Sequence, residues 1–326
     1  MVSSITSRAI SAGDRVDEFD LIRRYFAPLA AAPGADQLRD DVAEIAPGLI
    51  ATTDAIVEGV HFLPDDPIDT IAQKLVRVNV SDIIAKGGQP EAALLALVWP
   101  KARPHAQLGT FAEALGRDLG AWGASLMGGD TTATDGPLTL ALTLTGRVGP
   151  RGPVRRSGAR AGDDVWVSGD IGDGWLGLQA ARGRLDWLAD DMRSFLLSRY
   201  RTPEPPPLAF AGMLAAYASA AVDVSDGLVA DAGHIAAQSA VRLIIRAPEA
   251  PLSSPARACL ASSRIALEDL LTGGDDYQTL FTAPVSARPL VHNAHRIGEV
   301  TEGAGVIVHD GSGRPMTMET TGFRHF

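Results

Sequence analysis

The sequence contains a single cysteine, Cys259, so no intramolecular disulfide can form. We therefore expect a reducing, cytoplasmic compartment, because disulfides persist mainly in oxidising ones. No apolar run reaches the ~18 residues that a membrane span needs. The N-terminal residues Met1 to Gly13 also lack the apolar stretch of a signal peptide. We expect a soluble protein without a membrane partner.

Positive charge is also scarce, with 29 Lys and Arg against 39 Asp and Glu and a net charge of −10. This balance argues against unspecific nucleic-acid binding, which depends on neutralising phosphates with Lys and Arg. The only lysines are Lys74, Lys86 and Lys101, and none of them follows a glycine. The Walker phosphate loop, which needs a Gly-Lys pair, is therefore absent.

Alternating helical and strand-like patterns predict a mixed α/β (α+β) fold in two domains. The segment from Gly149 to Gly162 is rich in Gly, Pro and Arg, so we expect an exposed connection there, between domains 1–150 and 151–326. The predicted helices are Asp17 to Ala31, Thr70 to Ala85, Trp175 to Arg182 and Leu228 to Gln238. The predicted strands are Leu49 to Thr53, Ala93 to Trp99, Leu138 to Val148, Asp164 to Ser168 and Ala220 to Val224.

The chemically informative feature is a set of aspartates near predicted strands and helices. They are Asp40, Asp41, Asp54, Asp82, Asp130, Asp223 and Asp226. Taken singly, each could be a helix cap or a turn residue, and for Asp40 and Asp226 this interpretation is favoured. Asp82 differs, because it shares one helical face with the apolar residues at positions 71, 75 and 78, and a buried carboxylate needs a cation or donors.

With so few lysines, the compensating charge is expected to come from arginine or from metal ions, and magnesium fits best. Magnesium prefers hard oxygen ligands and is usually held by one or two carboxylates together with substrate phosphates. Several aspartates with the hydroxyls of Thr52 and Thr53 could hold more than one ion. Metals bridging carboxylates and phosphates would let an acidic protein without a phosphate loop bind ATP.

One glycine motif indicates a different function. GDGWLG, from Gly172 to Gly177, matches the dinucleotide-binding pattern between a predicted strand and a helix. The acidic residues that follow, Asp186, Asp190 and Asp191, all fall on a predicted solvated helix face. We interpret these glycines as a tight turn and helix start.

The ordered motifs of the chain resemble those of thiamine-monophosphate kinases, a family within the aminoimidazole-ribonucleotide-synthetase superfamily. The resemblance extends from about Asp17 to Phe326. The motifs are RDD at Arg39 to Asp41, TTDAIVEGVHF at Thr52 to Phe62, VNVSDIIAKGGQP at Val78 to Pro90, GGDTT at Gly128 to Thr132, RRSG at Arg155 to Gly158, DVSDGL at Asp223 to Leu228, and GGDDY at Gly273 to Tyr277.

The resemblance implies a role for each matching residue. Implied magnesium ligands are Asp41, Thr52, Thr53, Asp54, Asp82, Asp130, Asp223 and Asp226, of which Asp54, Asp82, Asp130 and Asp223 would be catalytic. Implied nucleotide contacts are Gly129, Asp130, Arg156 and Ser225, although Arg156 could also belong to a solvated charge run. Implied substrate contacts are His61, Asp275 and Phe323. Asp275 stands where the family commonly has Glu, and Phe323 where Tyr or Trp is frequent.

The implied activity is magnesium-dependent transfer of the γ-phosphoryl group of ATP to thiamine monophosphate. An acceptor phosphate is already ionised at neutral pH, which suits a sequence without a recognisable nucleophile–base pair. The implied assembly is a homodimer whose N-terminal sheets meet in a shared barrel, with the C-terminal α/β domain completing the site. Alternatives are a superfamily enzyme that activates an amide, carbamoyl or selenide substrate, and a non-catalytic nucleotide-binding subunit.

Overall fold

The computed structural model describes residues 18–323, which form two β-sheets with helices packed against them. Five strands make the first sheet: β1 (Ala43–Ala46), β2 (Leu49–Val57), β3 (Gln89–Pro100), β4 (Ser125–Thr134) and β5 (Thr139–Arg147). Their order is β1-β2-β5-β3-β4, with β3 and β4 parallel and the other neighbours antiparallel. Strand β4 therefore lies at an edge of this sheet.

The second sheet is built entirely from the later half of the chain. Its strands are β6 (Asp163–Val167), β7 (Ala220–Val224), β8 (Arg242–Arg246), β9 (Gln278–Pro284), β10 (His295–Thr301) and β11 (Gly305–His309). Their order is β11-β8-β10-β6-β9-β7, and only the β11–β8 pair is parallel. The predicted mixed α/β (α+β) fold is confirmed, and it is built on two sheets.

Nine α-helices connect or cover the strands in residues 18–323. They are α1 (Glu18–Leu21), α2 (Ile68–Ala85), α3 (His105–Ala121), α4 (Asp173–Ala181), α5 (Asp190–Arg201), α6 (Leu208–Tyr217), α7 (Leu228–Ser239), α8 (Ser254–Ala261) and α9 (Leu267–Thr272). None of them is both long and apolar enough to cross a membrane.

Helix α2 lies between the two sheets. It contacts β2 and β5 of the first sheet and β7 and β9 of the second, and nearly all of its residues from Ile71 to Ala85 are buried. The apolar cluster around it also draws on both halves of the chain, since Leu142 and Phe281 belong to the same core. The residues on α2 are thus held in place from both sides.

The prediction of one continuous α-helix from Asp17 to Ala31 was wrong. Asp17 lies outside the described residues; the rest is α-helical only over Glu18–Leu21 and continues as a π-helical turn and a 3₁₀ turn, Ile22–Phe26 and Ala27–Leu29. Pro28 contributes to this irregularity, because it has no backbone N–H to donate. No residue of these turns is buried, so the predicted apolar face does not pack on a core.

The predicted connection from Gly149 to Gly162 contains no helix or strand, as expected. One sheet lies before it and the other after it. The division into domains 1–150 and 151–326 stays a prediction, because the core around α2 is shared across the connection.

We expect the substitution Gly298→Ala to destabilise the fold. A Cβ atom at Gly298, on β10, would lie 1.9 Å from the carbonyl oxygen of Ile244 on β8, so the strands would have to move apart. Overpacking of this kind costs about 1–3 kcal/mol. Urea unfolding should show a lower free energy of unfolding.

The matched control is Gly109→Ala on α3, where nothing lies within 4 Å of the added atom. Alanine in a helix interior should raise the free energy of unfolding by about 0.5–1 kcal/mol. Equal effects of the two substitutions would contradict the close β10–β8 approach.

Candidate active site

Three aspartates from different parts of the chain meet beside α2. Asp41 precedes β1, Asp82 lies on α2 and Asp223 on β7, and carboxylate oxygens of all three lie within 4.8 Å of one another. The segment before β1, helix α2 and strand β7 thus each contribute one residue to a carboxylate cluster, which we define as Asp41, Asp82 and Asp223. A group of oxygens this close together is a candidate cation site.

Neighbouring hydroxyls orient two of these carboxylates. Thr52 on β2 donates to Asp82 at 2.5 Å, and Ser81 on α2 donates to Asp223 at 2.9 Å. Alternation along β2 places Thr52 and Asp54 on the side facing α2. The backbone N–H of Asp54 donates to Oδ1 of Asn79 on α2 at 3.2 Å. Strand β2 is therefore hydrogen-bonded to helix α2, which carries Asp82.

Thr53 lies on the opposite face of β2. Its hydroxyl contacts the Thr143 hydroxyl at 2.9 Å and the Leu142 carbonyl at 3.2 Å, both on β5. The structure therefore does not bring the Thr53 side chain to the carboxylate cluster, and its role as a metal ligand stays a prediction.

Burial and mutual repulsion shift the pKa values of these carboxyls. Burial, then the charges of Asp41 and Asp226, raises the pKa of Asp54 to about 6. Burial, then Asp41 and Asp54, raises the pKa of Asp223 to about 8. Burial, then Asp54 and Asp223, also raises the pKa of Asp82 well above its ordinary value. Such carboxyls lack compensating charge within the protein.

Asp41 behaves differently, because two cations of the chain contact it. Burial alone would raise its pKa, but Arg156 and Lys86 together lower it below the ordinary value. Lys86 is fully buried and pairs with both Asp41 and Asp40, at 2.7 Å from the latter. Arg156 pairs with Asp41 and its side chain is only 16% exposed. Lys86 also donates to the Ala221 carbonyl at 2.6 Å, which joins this pair to β7.

Two expectations are corrected here. The expectation that only arginine or metal would compensate buried carboxylates was wrong, because Lys86 does so for Asp40 and Asp41. The turn interpretation of Asp40 stays a prediction: its Oδ1 accepts the N–H of Asp41 at 3.0 Å, and its buried carboxylate also pairs with Lys86. The solvated charge run around Arg156 is also excluded by its burial against Asp41.

The loop after β7 is held by a buried aspartate. Asp231 accepts hydrogen bonds from the backbone N–H groups of Ser225, Asp226 and Gly227 at 3.1–3.2 Å. The Ser225 carbonyl in turn accepts from the N–H of Asp275 at 2.7 Å. The predicted nucleotide contact Ser225 and the predicted metal ligand Asp226 thus lie in one loop, directly beside Asp275.

Asp275 forms an ion pair that the sequence pattern did not reveal. Lys74 on α2, 2% exposed, donates to its Oδ2 at 2.7 Å. The Lys74 ammonium also lies 4.3 Å from the ring centre of Tyr200. Burial raises the pKa of Asp275 even though Lys74 and the hydroxyl of Tyr277 oppose this shift. Lys74 and Asp82 are eight residues apart on α2, so their Cα atoms are about 12 Å apart along the helix axis.

The other two predicted substrate residues lie on either side of this region. His61 follows β2, and its Nδ1 accepts the N–H of Val57 at 3.1 Å. Phe323 is 50% exposed, and its backbone N–H donates to the Asp226 carbonyl at 2.9 Å. Phe323 is thus next to the loop after β7, and His61 is held against the end of β2.

Gly129 and Asp130 lie within edge strand β4, where both are exposed. Asp130 is in register with Ala96 on β3, then Ala141 on β5 and Ala55 on β2. Three strand spacings, about 14 Å along a flat sheet, therefore separate it from the β2 residues of the site. The structure does not bring Asp130 to the carboxylate cluster of its own chain.

The GDGWLG segment begins α4, as the interpretation as a helix start requires. Gly172 has φ +88°, and the buried carboxylate of Asp276 accepts the N–H groups of Gly172 and Gly174 at 2.8 and 3.1 Å. The strand before it, β6, has antiparallel neighbours, so the segment does not open a parallel βαβ unit.

The residues that sequence reasoning missed are mainly the partners of the predicted ones: Lys74, Asn79, Ser81, Lys86, Asp231 and Asp276. For the lysines a signal existed. Lys74 and Lys86 are spaced eight and four residues from Asp82, so they lie on or near the same helical face. A lysine on the inward face of an apolar helix indicates a buried acidic partner, although it does not say which one.

Comparisons with known proteins place this site in context. Residues 39–148 match the family model described as AIR synthase related protein, N-terminal domain. The chain is 39% identical to a thiamine-monophosphate kinase of Caulobacter vibrioides, covering 94% of this chain and 90% of the relative. It is 34% identical to that of Escherichia coli (strain K12), covering 95% and 98%. A solved structure described as AaThiL complexed with AMPPCP and TMP superposes with a TM-score of 0.86 at 32% identity, covering 97% of this chain and 100% of the other.

We expect the metal-free protein to lose stability as the pH rises from about 4 to about 8. The raised pKa of Asp223 means that the folded state holds a proton that the unfolded state releases, and this contribution disappears through the folded pKa of about 8. Asp223→Asn should reduce the fall in Tm between pH 5 and pH 8, measured by circular dichroism with a chelator present.

Asp190→Asn is the matched control, because the Asp190 side chain is 91% exposed, lies in the first turn of α5 and is not part of the cluster. It should leave the pH dependence of Tm unchanged. An identical pH dependence in wild type and Asp223→Asn would show that Asp223 is not destabilised by its surroundings.

Proposed function

Because this chain belongs to the thiamine-monophosphate kinase family, we propose that it transfers the γ-phosphoryl group of ATP to thiamine monophosphate. The products are thiamine diphosphate and ADP. The observation that carries this proposal is the buried carboxylate cluster, which brings together the segment before β1, helix α2 and strand β7. The neighbouring structure described as complexed with AMPPCP and TMP supports the choice of the two substrates.

The residues present fit magnesium. The carboxylate cluster together with Asp54 offers the hard oxygen ligands that magnesium prefers. The raised pKa values of Asp54 and Asp223 indicate that cations of the protein do not fully compensate these carboxylates. We propose that several ions are held by Asp41, Thr52, Thr53, Asp54, Asp82, Asp130, Asp223 and Asp226. Bound magnesium would neutralise charge on the transferring group and bridge carboxylates to phosphate oxygens.

The reaction needs no general base from the protein. The attacking atom is an oxygen of the acceptor phosphate, whose second pKa of ~6 leaves it ionised at neutral pH. As its bond to the γ-phosphorus forms, the bond from that phosphorus to the ADP oxygen breaks in line, and ADP leaves with the electron pair. The task of the protein is to align the groups and stabilise charge.

We divide the predicted site residues into those that would contact the nucleotide and those that would contact the acceptor. We assign Arg156, Ser225, Gly129 and Asp130 to the nucleotide, with Arg156 already fixed beside the carboxylate cluster by Asp41. We assign His61, Asp275 and Phe323 to the acceptor. Asp275 is held by Lys74, two helical turns before Asp82 on α2, and by the loop after β7, which supports a recognition point apart from the cluster.

We also propose that the active unit is a homodimer. Edge strand β4 is exposed and carries Leu126 and Met127, 50% and 73% exposed, beside Leu94 on β3 at 47%. An exposed apolar edge strand is a surface that proteins normally cover. A second copy seated there would give Gly129 and Asp130 a partner site, which their own chain does not offer them.

Two further assignments belong to this proposal. Residues 1–150 would bind nucleotide and magnesium and form the dimer, and residues 151–326 would complete the site. The compartment would be the cytoplasm, which the lone, buried Cys259 supports.

The direct test is incubation of the purified protein with ATP, magnesium and thiamine monophosphate. We expect thiamine diphosphate and ADP in equal amounts, detected by chromatography. Product formed only when an amide, carbamoyl or selenide acceptor replaces thiamine monophosphate would point to another activity of the superfamily. Absence of any ATP turnover would contradict catalysis.

We expect Asp82→Asn to abolish most activity while the protein stays folded. The substitution keeps the shape and the acceptor for the Thr52 hydroxyl but removes a charge from the carboxylate cluster. The kcat should fall by about two orders of magnitude, and the metal-free Tm should rise, because repulsion is relieved. Asp69→Asn, in the first turn of the same helix, is the control and should retain activity. Full activity of Asp82→Asn would refute the metal-site assignment.

We expect Met127→Glu to convert the protein to a monomer and to lower activity. A charge at this exposed position of β4 would be buried without a partner in the proposed dimer. Sedimentation velocity at assay concentration gives the mass. Val285→Glu, at a position that is 48% exposed outside the first sheet, is the control. A fully active wild-type monomer would contradict the dimer.

A further inference from the structure

Lys86 is a buried cation to which the proposed nucleotide and acceptor contacts assign no role. It is fully buried directly after the last residue of α2, whereas lysines ordinarily lie at the surface. Its backbone N–H donates to the Asp82 carbonyl at 3.2 Å, and its own carbonyl accepts the N–H of Val154 at 3.0 Å. The backbone of Lys86 is thus fixed between α2 and the connection that follows the first sheet.

Three oxygens surround the Lys86 ammonium group. Its Nζ lies 2.7 Å from Oδ1 of Asp40 and also contacts Oδ2 of Asp41. It donates to the Ala221 carbonyl on β7 at 2.6 Å. An ammonium group has three N–H donors and no acceptor, so these three oxygens can use all of its donors. Carboxylate and carbonyl oxygens are also ligands of hard divalent cations, so Lys86 occupies a place whose surroundings suit a metal ion.

The Lys86 ammonium keeps its positive charge in this place. Burial alone would lower the pKa of Lys86, but the charges of Asp41 and Asp40 raise it above its ordinary value. Two arginines support the same carboxylates, since Arg156 pairs with Asp41 and the Nη1 of Arg155 lies 3.6 Å from Oδ2 of Asp40. Cations of the protein therefore compensate both Asp40 and Asp41.

The other two carboxylates of the cluster have different surroundings. Asp82 and Asp223 each accept a neighbouring hydroxyl group, which carries no charge. Burial, then nearby carboxylates, raises the pKa of both residues. Asp41 belongs to both environments, because it pairs with Lys86 and also has a carboxylate oxygen within 4.8 Å of the other two. At Asp41 a cation of the protein thus adjoins the proposed metal site.

We propose that the Lys86 ammonium takes the place of one divalent ion at Asp40 and Asp41, and that it positions Asp41 for the ions that the carboxylate cluster binds. The inference rests on the proposed function for the presence of those ions. An ammonium group that is part of the chain cannot dissociate, so Asp41 is oriented before any ligand arrives. Lys86 is a positioning residue, because it acts on the site through Asp41.

The first test compares the thermal stability of Lys86→Gln and the wild type without ATP or acceptor. Glutamine keeps a donor for the Ala221 carbonyl but removes the charge that compensates Asp40 and Asp41. The Tm measured by circular dichroism with a chelator present should therefore fall. Saturating Mg²⁺ should then raise the Tm of Lys86→Gln by about 2–5 °C more than that of the wild type, because an ion enters the vacated place.

The number of bound ions is the second measurement. Mn²⁺ serves as the probe, and equilibrium dialysis counts the ions bound per chain without nucleotide. At the same free Mn²⁺ concentration, Lys86→Gln should bind one ion more than the wild type. The double variant Asp40→Asn/Lys86→Gln removes a carboxylate together with the cation, so it should lose the additional ion and have a higher metal-free Tm than Lys86→Gln. Retention of the additional ion by the double variant would contradict its assignment to Asp40 and Asp41.

Lys101→Gln is the matched control, because Lys101 pairs with Asp135 at the surface and its side chain is 61% exposed. It should match the wild type in ion count and in the rise of Tm with Mg²⁺. A Lys86→Gln variant that also matches the wild type in both measurements overturns the proposal, even if its metal-free Tm is lower, because Lys86 would then be structural only. A Lys86→Gln chain that stays unfolded in saturating Mn²⁺ also overturns it.

The metal measurements separate this inference from the proposed function, because they need neither substrate. A wild type that forms thiamine diphosphate, with the same ion count and the same Mg²⁺-dependent rise of Tm in Lys86→Gln, overturns the role of Lys86 alone. One additional Mn²⁺ in Lys86→Gln, with a wild type that forms no thiamine diphosphate, supports the role of Lys86 and refutes the activity.

Discussion

The burial of helix α2 between two sheets is the constraint on which the site depends. A helix covered on both sides should be apolar all round, yet α2 also buries Lys74, Asn79, Ser81 and Asp82, and Lys86 is buried directly after its last residue. Each of these side chains needs a partner from another element, because an unpaired polar group in the interior is costly. The partners come from the segment before β1, from β2, from β7 and from the loop before β9. The hydrogen bonds and ion pairs that the polar side chains of α2 require therefore bring several distant segments of the chain to the same place.

The same burial brings several carboxylates close together, and their mutual repulsion destabilises the site. Lys86 and Arg156 compensate Asp40 and Asp41, but they leave Asp54, Asp82 and Asp223 with raised pKa values. An arrangement that satisfied every carboxylate with a protein cation would be more stable and would have no affinity for another cation. The carboxylates left without a protein cation are thus the ones that the proposed magnesium ions would use, and the surrounding packing supplies the stability that the cluster lacks.

Much of the fold class and of the residue set could be predicted from the sequence, because local patterns and motifs report on local structure. The strand Ala220–Val224 and the helix ending at Ala85 follow directly from apolar periodicity. The ion pairs could not be predicted, because Lys74 and Asp275 are 201 positions apart and only the packing of α2 against the second sheet brings them together. The exposure of Asp130 could not be predicted either, because the motif GGDTT does not indicate that its strand lies at the edge of a sheet.

The pairing of Lys74 with Asp275 also changes the role that we expect for Asp275, the aspartate that stands where the family commonly has Glu. An isolated carboxylate there would attract a cationic substrate by its charge, but Lys74 neutralises that charge at 2.7 Å. What remains to Asp275 is directional hydrogen bonding, held in a backbone conformation with φ +66° by its bond to Ser225.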